Sequence, residues 1–94
     1  MAQPGTKLII ERLPKTPDYA ALLPILERVS DGPCTVTLDG SRIADLPAPG
    51  LEALLVLAAT QRARGDGFSM ENLSEPAQAD LALYGVTPEH LKGP

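Results

Sequence analysis

Between Cys34 and Leu57 the chain passes from an alternating segment, through a proline-rich loop, into a long apolar run, and this succession constrains the fold most. Cys34-Thr35-Val36-Thr37-Leu38 alternates apolar and polar side chains, the period of a half-buried strand, and ends in the turn pair Asp39-Gly40. After Ser41-Arg42-Ile43-Ala44-Asp45-Leu46 comes Pro47-Ala48-Pro49-Gly50, then Leu51-Glu52-Ala53-Leu54-Leu55-Val56-Leu57. Proline at a first helical position needs no partner for its missing N–H, so a helix is expected to start near Pro49 and to stop at Arg64-Gly65-Asp66-Gly67. Arg62 and Arg64 suit the negative end of its dipole. Strand, loop and helix start in this order bring backbone N–H groups together, a place to hold an anion or a partner.

The same succession occurs on both sides of this segment. Lys7 to Leu13 alternates, with Leu8, Ile10 and Arg12 on one face and Ile9, Glu11 and Leu13 on the other, before Pro14 and Pro17 end it. Between Asp18 and Ser30, Leu22, Ile25, Leu26 and Val29 form one helical stripe. Pro24 disturbs that helix, so an irregular or late start near Ala20 to Leu23 is expected, with Asp31-Gly32-Pro33 as the stop and Gly32 in a left-handed position. Phe68 to Leu73 reads as a third strand. Ser74-Glu75-Pro76 opens a third helix with a serine cap, with Ala77, Leu81 and Tyr84 as its stripe and Gly85 as its close. A short last helix is expected at Pro88 to Lys92. The order strand-helix, three times over, predicts one α/β domain across residues 1–94: a small, mainly parallel sheet layered with helices, with residues 1–5 as a flexible tail.

Composition narrows the function. The chain has 94 residues, 44% apolar and 21% charged, enough for a single folded core. Its net charge of −4, its scattered basic residues and its few aromatics (Phe68, Tyr19, Tyr84) argue against nucleic acid as partner. The single cysteine, Cys34, excludes an internal disulfide and points to a reducing compartment, with core filling as its expected role. The apolar run at Lys7 to Glu11 is too short for a signal peptide, and Leu51 to Ala59 is far short of the roughly 20 residues of a membrane span. The expectation is a cytoplasmic protein with no direct membrane insertion.

No catalytic constellation is present in the sequence. His90 is the only histidine, Cys34 has no evident base, and Asp39 with Asp45 is too small a set for a divalent ion. The expected job of Asp39 is to hydrogen-bond the turn after its strand. No enzyme, metal or cofactor is expected. The second helix is more informative. Leu51, Leu54, Leu55 and Ala58, extended by the stem of Arg62, should face the sheet. Its other side carries Ala53, Val56, Leu57 and Thr60, and a helix this apolar all round has a second neighbour. Two readings stand: Leu57 tucks beside an adjacent helix with Ala53 and Val56 tolerated, or the side is a partner-binding surface.

These pieces together resemble the STAS domain, typified by bacterial anti-sigma factor antagonists. The resemblance runs from about Lys7 to Leu91. It rests on Cys34 to Leu38 with Asp39 and Ser41-Arg42-Ile43, on Gly50-Leu51 leading into Leu54-Leu55, on Gly65 to Leu73, on Ser74-Glu75-Pro76 and on Leu83-Tyr84-Gly85-Val86. The segment Leu38 to Ile43 with Pro49-Gly50-Leu51 is especially similar to short STAS proteins found beside chemotaxis genes. In regulatory members an Asp-Ser-Ser-Gly or Asp-Ser-Ala-Gly motif opens this helix, and the serine before the glycine accepts a phosphate. Aligned on Gly50, Pro47 stands at the aspartate, Ala48 at the first small residue and Pro49 at the phosphoserine, so the acceptor is lost. Pro49 also deletes an N–H that would help to hold a phosphate.

The resemblance implies a non-enzymatic interaction module in bacterial signal transduction, in chemotaxis or a two-component system. Its partner would be a histidine kinase or an anti-sigma factor-like kinase. The expected docking surface comprises Asp39, Ser41, Asp45, Pro47, Ala48, Pro49 and Gly50, with Ala53, Val56, Leu57 and Thr60 of the second helix. Two other roles in the family are a phospho-regulated anti-sigma factor antagonist, with Ser41 as a poor substitute acceptor, and an accessory subunit of an ABC transporter. A chain ending soon after its third helix would also leave a sheet edge open to self-pairing, which would make a homodimer.

Overall fold

The alternation at Lys7, Cys34 and Phe68 becomes three strands in a computed structural model that describes residues 7–91: β1 (Lys7–Arg12), β2 (Cys34–Asp39) and β3 (Phe68–Glu71). The strands are parallel and lie in the order β1-β2-β3. The connections are α1 (Tyr19–Ser30) and α2 (Ala48–Arg64), and β3 is followed by α3 (Glu75–Leu83) and a 3-10 turn at Pro88–Leu91. The tail expected at 1–5 and the helix end expected at Lys92 lie outside the described residues.

In a monotonic parallel order, crossovers of the usual right hand carry both connecting helices to one face of the sheet. The burial of the rungs follows. Ile9, Val36 and Phe68 stand side by side and are buried, as is Leu38 beside Met70. The alternate rungs, Leu8–Thr35, Ile10–Thr37–Ser69 and Arg12–Asp39–Glu71, form the opposite face, where Leu8 and Ile10 stay 62% and 65% exposed. Leu22, Ile25 and Val29 of α1 and Leu51, Leu54, Leu57 and Ala58 of α2 complete the core on the covered side.

Four local expectations are corrected. α1 starts at Tyr19 rather than late, because the Asp18 carboxylate accepts the Ala21 N–H at 2.9 Å. Pro24 sits inside the helix, where both it and Ala20, whose carbonyl loses a partner, are exposed to water. β3 stops at Glu71 because Asn72 turns the chain with φ 55°. α3 ends at Leu83, so Tyr84 leaves the Ala77–Leu81 stripe and is 48% exposed, while Leu91 of the 3-10 turn fills the core. In α2 the buried stripe runs through Leu51, Leu54, Leu57, Ala58 and Gln61, rotated from the expected one, and Leu55 is only half-buried.

Gln61 explains part of that rotation. Its fully buried amide donates to the carbonyls of Cys34 at 2.6 Å and Gly67 at 3.1 Å, tying α2 to the entrances of β2 and β3. Arg64 donates to the carbonyls of Val29 and Gly32, so it serves the C-terminus of α1 in addition to its own helix.

Candidate functional site

The loop between β2 and α2 is held on three sides. The Ser41 N–H donates to Asp39 Oδ1 at 2.8 Å, and the Asn72 amide donates to Asp39 Oδ2 at 3.1 Å. The Ser41 hydroxyl, followed by these two donors, holds the Asp39 carboxyl down from 3.8 to about 2. Asp45 accepts from the Thr16 hydroxyl at 2.7 Å, and the N–H groups of Ala44 and Asp45 donate to the Lys15 carbonyl. On the other side the Ser74 hydroxyl donates to the Ile43 carbonyl at 2.6 Å, and Asp80 accepts the Leu46 N–H at 2.8 Å. Ile43 and Leu46 are buried beneath these bonds. The loop is a fixed corner, not a free one.

At the helix start Pro47 is the N-cap and offers no side-chain bond, and Ala48 rather than Pro49 takes the first helical position. Gly50 is buried against the chain entering α1, where a Cβ would overlap the Pro17 carbonyl oxygen. The N–H convergence expected here is thus occupied by a packing contact and by Pro49, which has no N–H, and it is no anion site. The role of Gly50 is close packing, which a docking role would not need.

One turn further along, α1 and α2 leave an apolar groove of about 300 Å³ lined by Tyr19, Leu26, Pro49, Glu52, Ala53 and Val56. Its volume lies at the lower end of what ligand sites use, about 300–1,000 Å³. Tyr19 and Leu26 are seven residues apart, and so are Pro49 and Val56, so each helix presents one flank to the groove. Val56 is 55% exposed. Glu52 is the charged residue of the lining.

The expected surface therefore divides. Pro49, Ala53 and Val56 meet at the groove. Leu57 does not: it is fully buried, on a helix that packs against α1, β3 and the 3-10 turn. Ala53 is also almost wholly buried and forms the groove floor. Thr60, Pro47 and Ala48 are half-buried and are not among the groove residues, and Ser41 is exposed on the far loop. Tyr19 and Glu52 were missed. The signal for Tyr19 is its i, i+3 and i, i+7 relation to Leu22 and Leu26, which extends the apolar side of α1 by about one turn.

The chemistry-bearing residues stand apart. Cys34 is buried, and burial, reinforced by Asp66, pushes its thiol up, away from nucleophile character. The ring of His90 accepts the Thr87 N–H at 3.1 Å and closes the last turn. Among the described residues no three His, Cys, Asp or Glu side chains gather as a metal site, and no helix is long and apolar enough to cross a membrane. Comparison of the chain with protein-family models, with curated proteins and with solved structures found no match.

Proposed function

We propose that this chain is a STAS-like, non-enzymatic interaction module of bacterial signal transduction that docks a signalling protein at the α1/α2 groove. The observation carrying this reading is the groove itself: an apolar trough with half-exposed Tyr19 and Val56 on its walls and Glu52 in its lining, beside a loop tied down by side-chain bonds. A preformed apolar site on rigid elements loses little entropy on binding, and one acidic group in it selects a basic neighbour. The partner segment that fits is an apolar anchor side chain flanked by Lys or Arg. The resemblance supplies the partner class, a histidine kinase of a chemotaxis or related two-component system. The family's phosphoserine has no counterpart at Pro49, so docking is constitutive.

Isothermal titration against the cognate histidine kinase tests this. Val56→Glu is expected to weaken binding by about tenfold or more, and Glu52→Arg to weaken it and alter its salt dependence. Equal affinity of both variants and the unmodified chain would sink the groove as the docking site. The phospho-regulated antagonist reading gives a different result: incubation with a cognate kinase and ATP would add one phosphate, visible by intact mass, at Ser41. Copurification with an ATP-binding transporter protein would favour the transporter-subunit role.

A further inference from the structure

The outer edge of β1 is a strand-pairing surface, and we infer that its occupant is a second copy of this chain, joined antiparallel about a two-fold axis through Ile9. This stands independently of the groove and of any signalling role. β3, at the other edge, has the 3-10 turn packed against it, whereas among the described residues no strand pairs with the outside of β1. The β1–β2 register runs unbroken over the whole strand, without bulge or proline, so the edge lacks two of the usual devices that deter pairing.

The backbone says which groups are on offer. The Lys7 N–H donates to the Pro33 carbonyl and the Leu13 N–H to the Asp39 carbonyl, so the odd-numbered residues face β2. In a parallel ladder the alternate residues then direct both N–H and C=O outward, here Leu8, Ile10 and Arg12. The side chains choose the register. With Ile9 opposite its own copy, Leu8 meets Ile10 of the other copy, and each outward N–H and C=O of these two finds a partner. The same register sets Lys7 opposite Glu11, so the charges complement at both ends. Shifting by two residues either way sets Ile9 against Lys7 or against Glu11. The two most exposed apolar side chains of the sheet face, Leu8 and Ile10, then become cross-strand neighbours in a continuous six-stranded sheet. Glu11 keeps Arg28 of its own chain at 2.9 Å, so its carboxylate is shared between two cations.

Sedimentation velocity of the full chain over a wide concentration range tests the dimer, and hydrogen exchange locates it. The expected result is a reversible monomer–dimer equilibrium in which the Leu8 and Ile10 amides become protected as concentration rises. Lys7→Glu and Glu11→Lys each place like charges opposite one another and are expected to weaken self-association about tenfold. An equimolar mixture of these two variants restores opposite charges at both positions and is expected to recover dimers. Unchanged thermal melting of each variant shows that folding is intact. A chain that stays monomeric at millimolar concentration overturns the inference. So does a dimer whose Leu8 and Ile10 amides exchange as in the monomer, or a mixture that associates no better than its components.

Discussion

The Asp39 carboxylate accepts from Ser41 on one oxygen and from Asn72 on the other, and this fixes the exit of β2. Its folded value of about 2 lies below the ordinary 3.8, so its contribution to stability is present above about pH 4 and is lost as pH falls through 2. A carbon-13 NMR titration of this carboxyl should give a midpoint near 2, and Asp39→Asn should flatten the stability–pH curve in that window. A midpoint at the ordinary value would contradict the turn geometry. Gln61 acts at the same scale inside the core. Gln61→Leu keeps the volume but leaves the Cys34 carbonyl without this donor, at a cost of about 1–2 kcal/mol in urea unfolding. Asp39 was legible in the sequence because Asp-Gly after a strand marks a turn. Gln61 was not, because a glutamine inside an apolar helix reads as solvent-facing until the strand carbonyls that it meets are known.

At the scale of elements, α2 carries the ambiguity of the chain. Its apolar residues surround the axis, so periodicity alone points no single face to the sheet. Tertiary packing resolves it: Leu57 is enclosed and its neighbour Val56 is open. Leu57→Ala should therefore destabilise by about 2–5 kcal/mol through the cavity left behind. Val56→Ala should stay within about 0.5 kcal/mol, since its side chain is half in water and alanine favours helix. Chemical denaturation of both variants checks the contrast, and equal losses would contradict the packing of α2 described above. In α1 the Asp18 cap outweighs the disturbance at Pro24, because the cap satisfies a helix-end N–H while the acceptor orphaned by proline is left to water.

For the whole molecule, the distance between the entry of α1 and the first turn of α2 sets the groove. Gly50 permits that approach, and a Cβ there meets backbone that cannot swing aside. Gly50→Ala ought to gain about 1 kcal/mol from helix propensity. The overlap with Pro17 instead makes it a loss of about 3 kcal/mol, read by thermal melting. A neutral result would mean that the two helices sit further apart. The bare face of the sheet is also a property of the whole. Parallel sheets are ordinarily covered on both faces. Here Thr35, Thr37 and Ser69 make the second face polar enough to stand in water, and Leu8 and Ile10 at the β1 edge are its apolar exceptions.

The sequence by itself determined the order of elements, the parallel sheet that this order demands and the serine-capped start of α3. These follow from local period, turn chemistry and residue identity, which need no knowledge of distant contacts. Tertiary structure decided which side of α2 is buried, that Gly50 packs against Pro17, and that Tyr19 joins Val56 at one groove. Each of those depends on where a second element comes to lie, and residues far apart in the chain supply it.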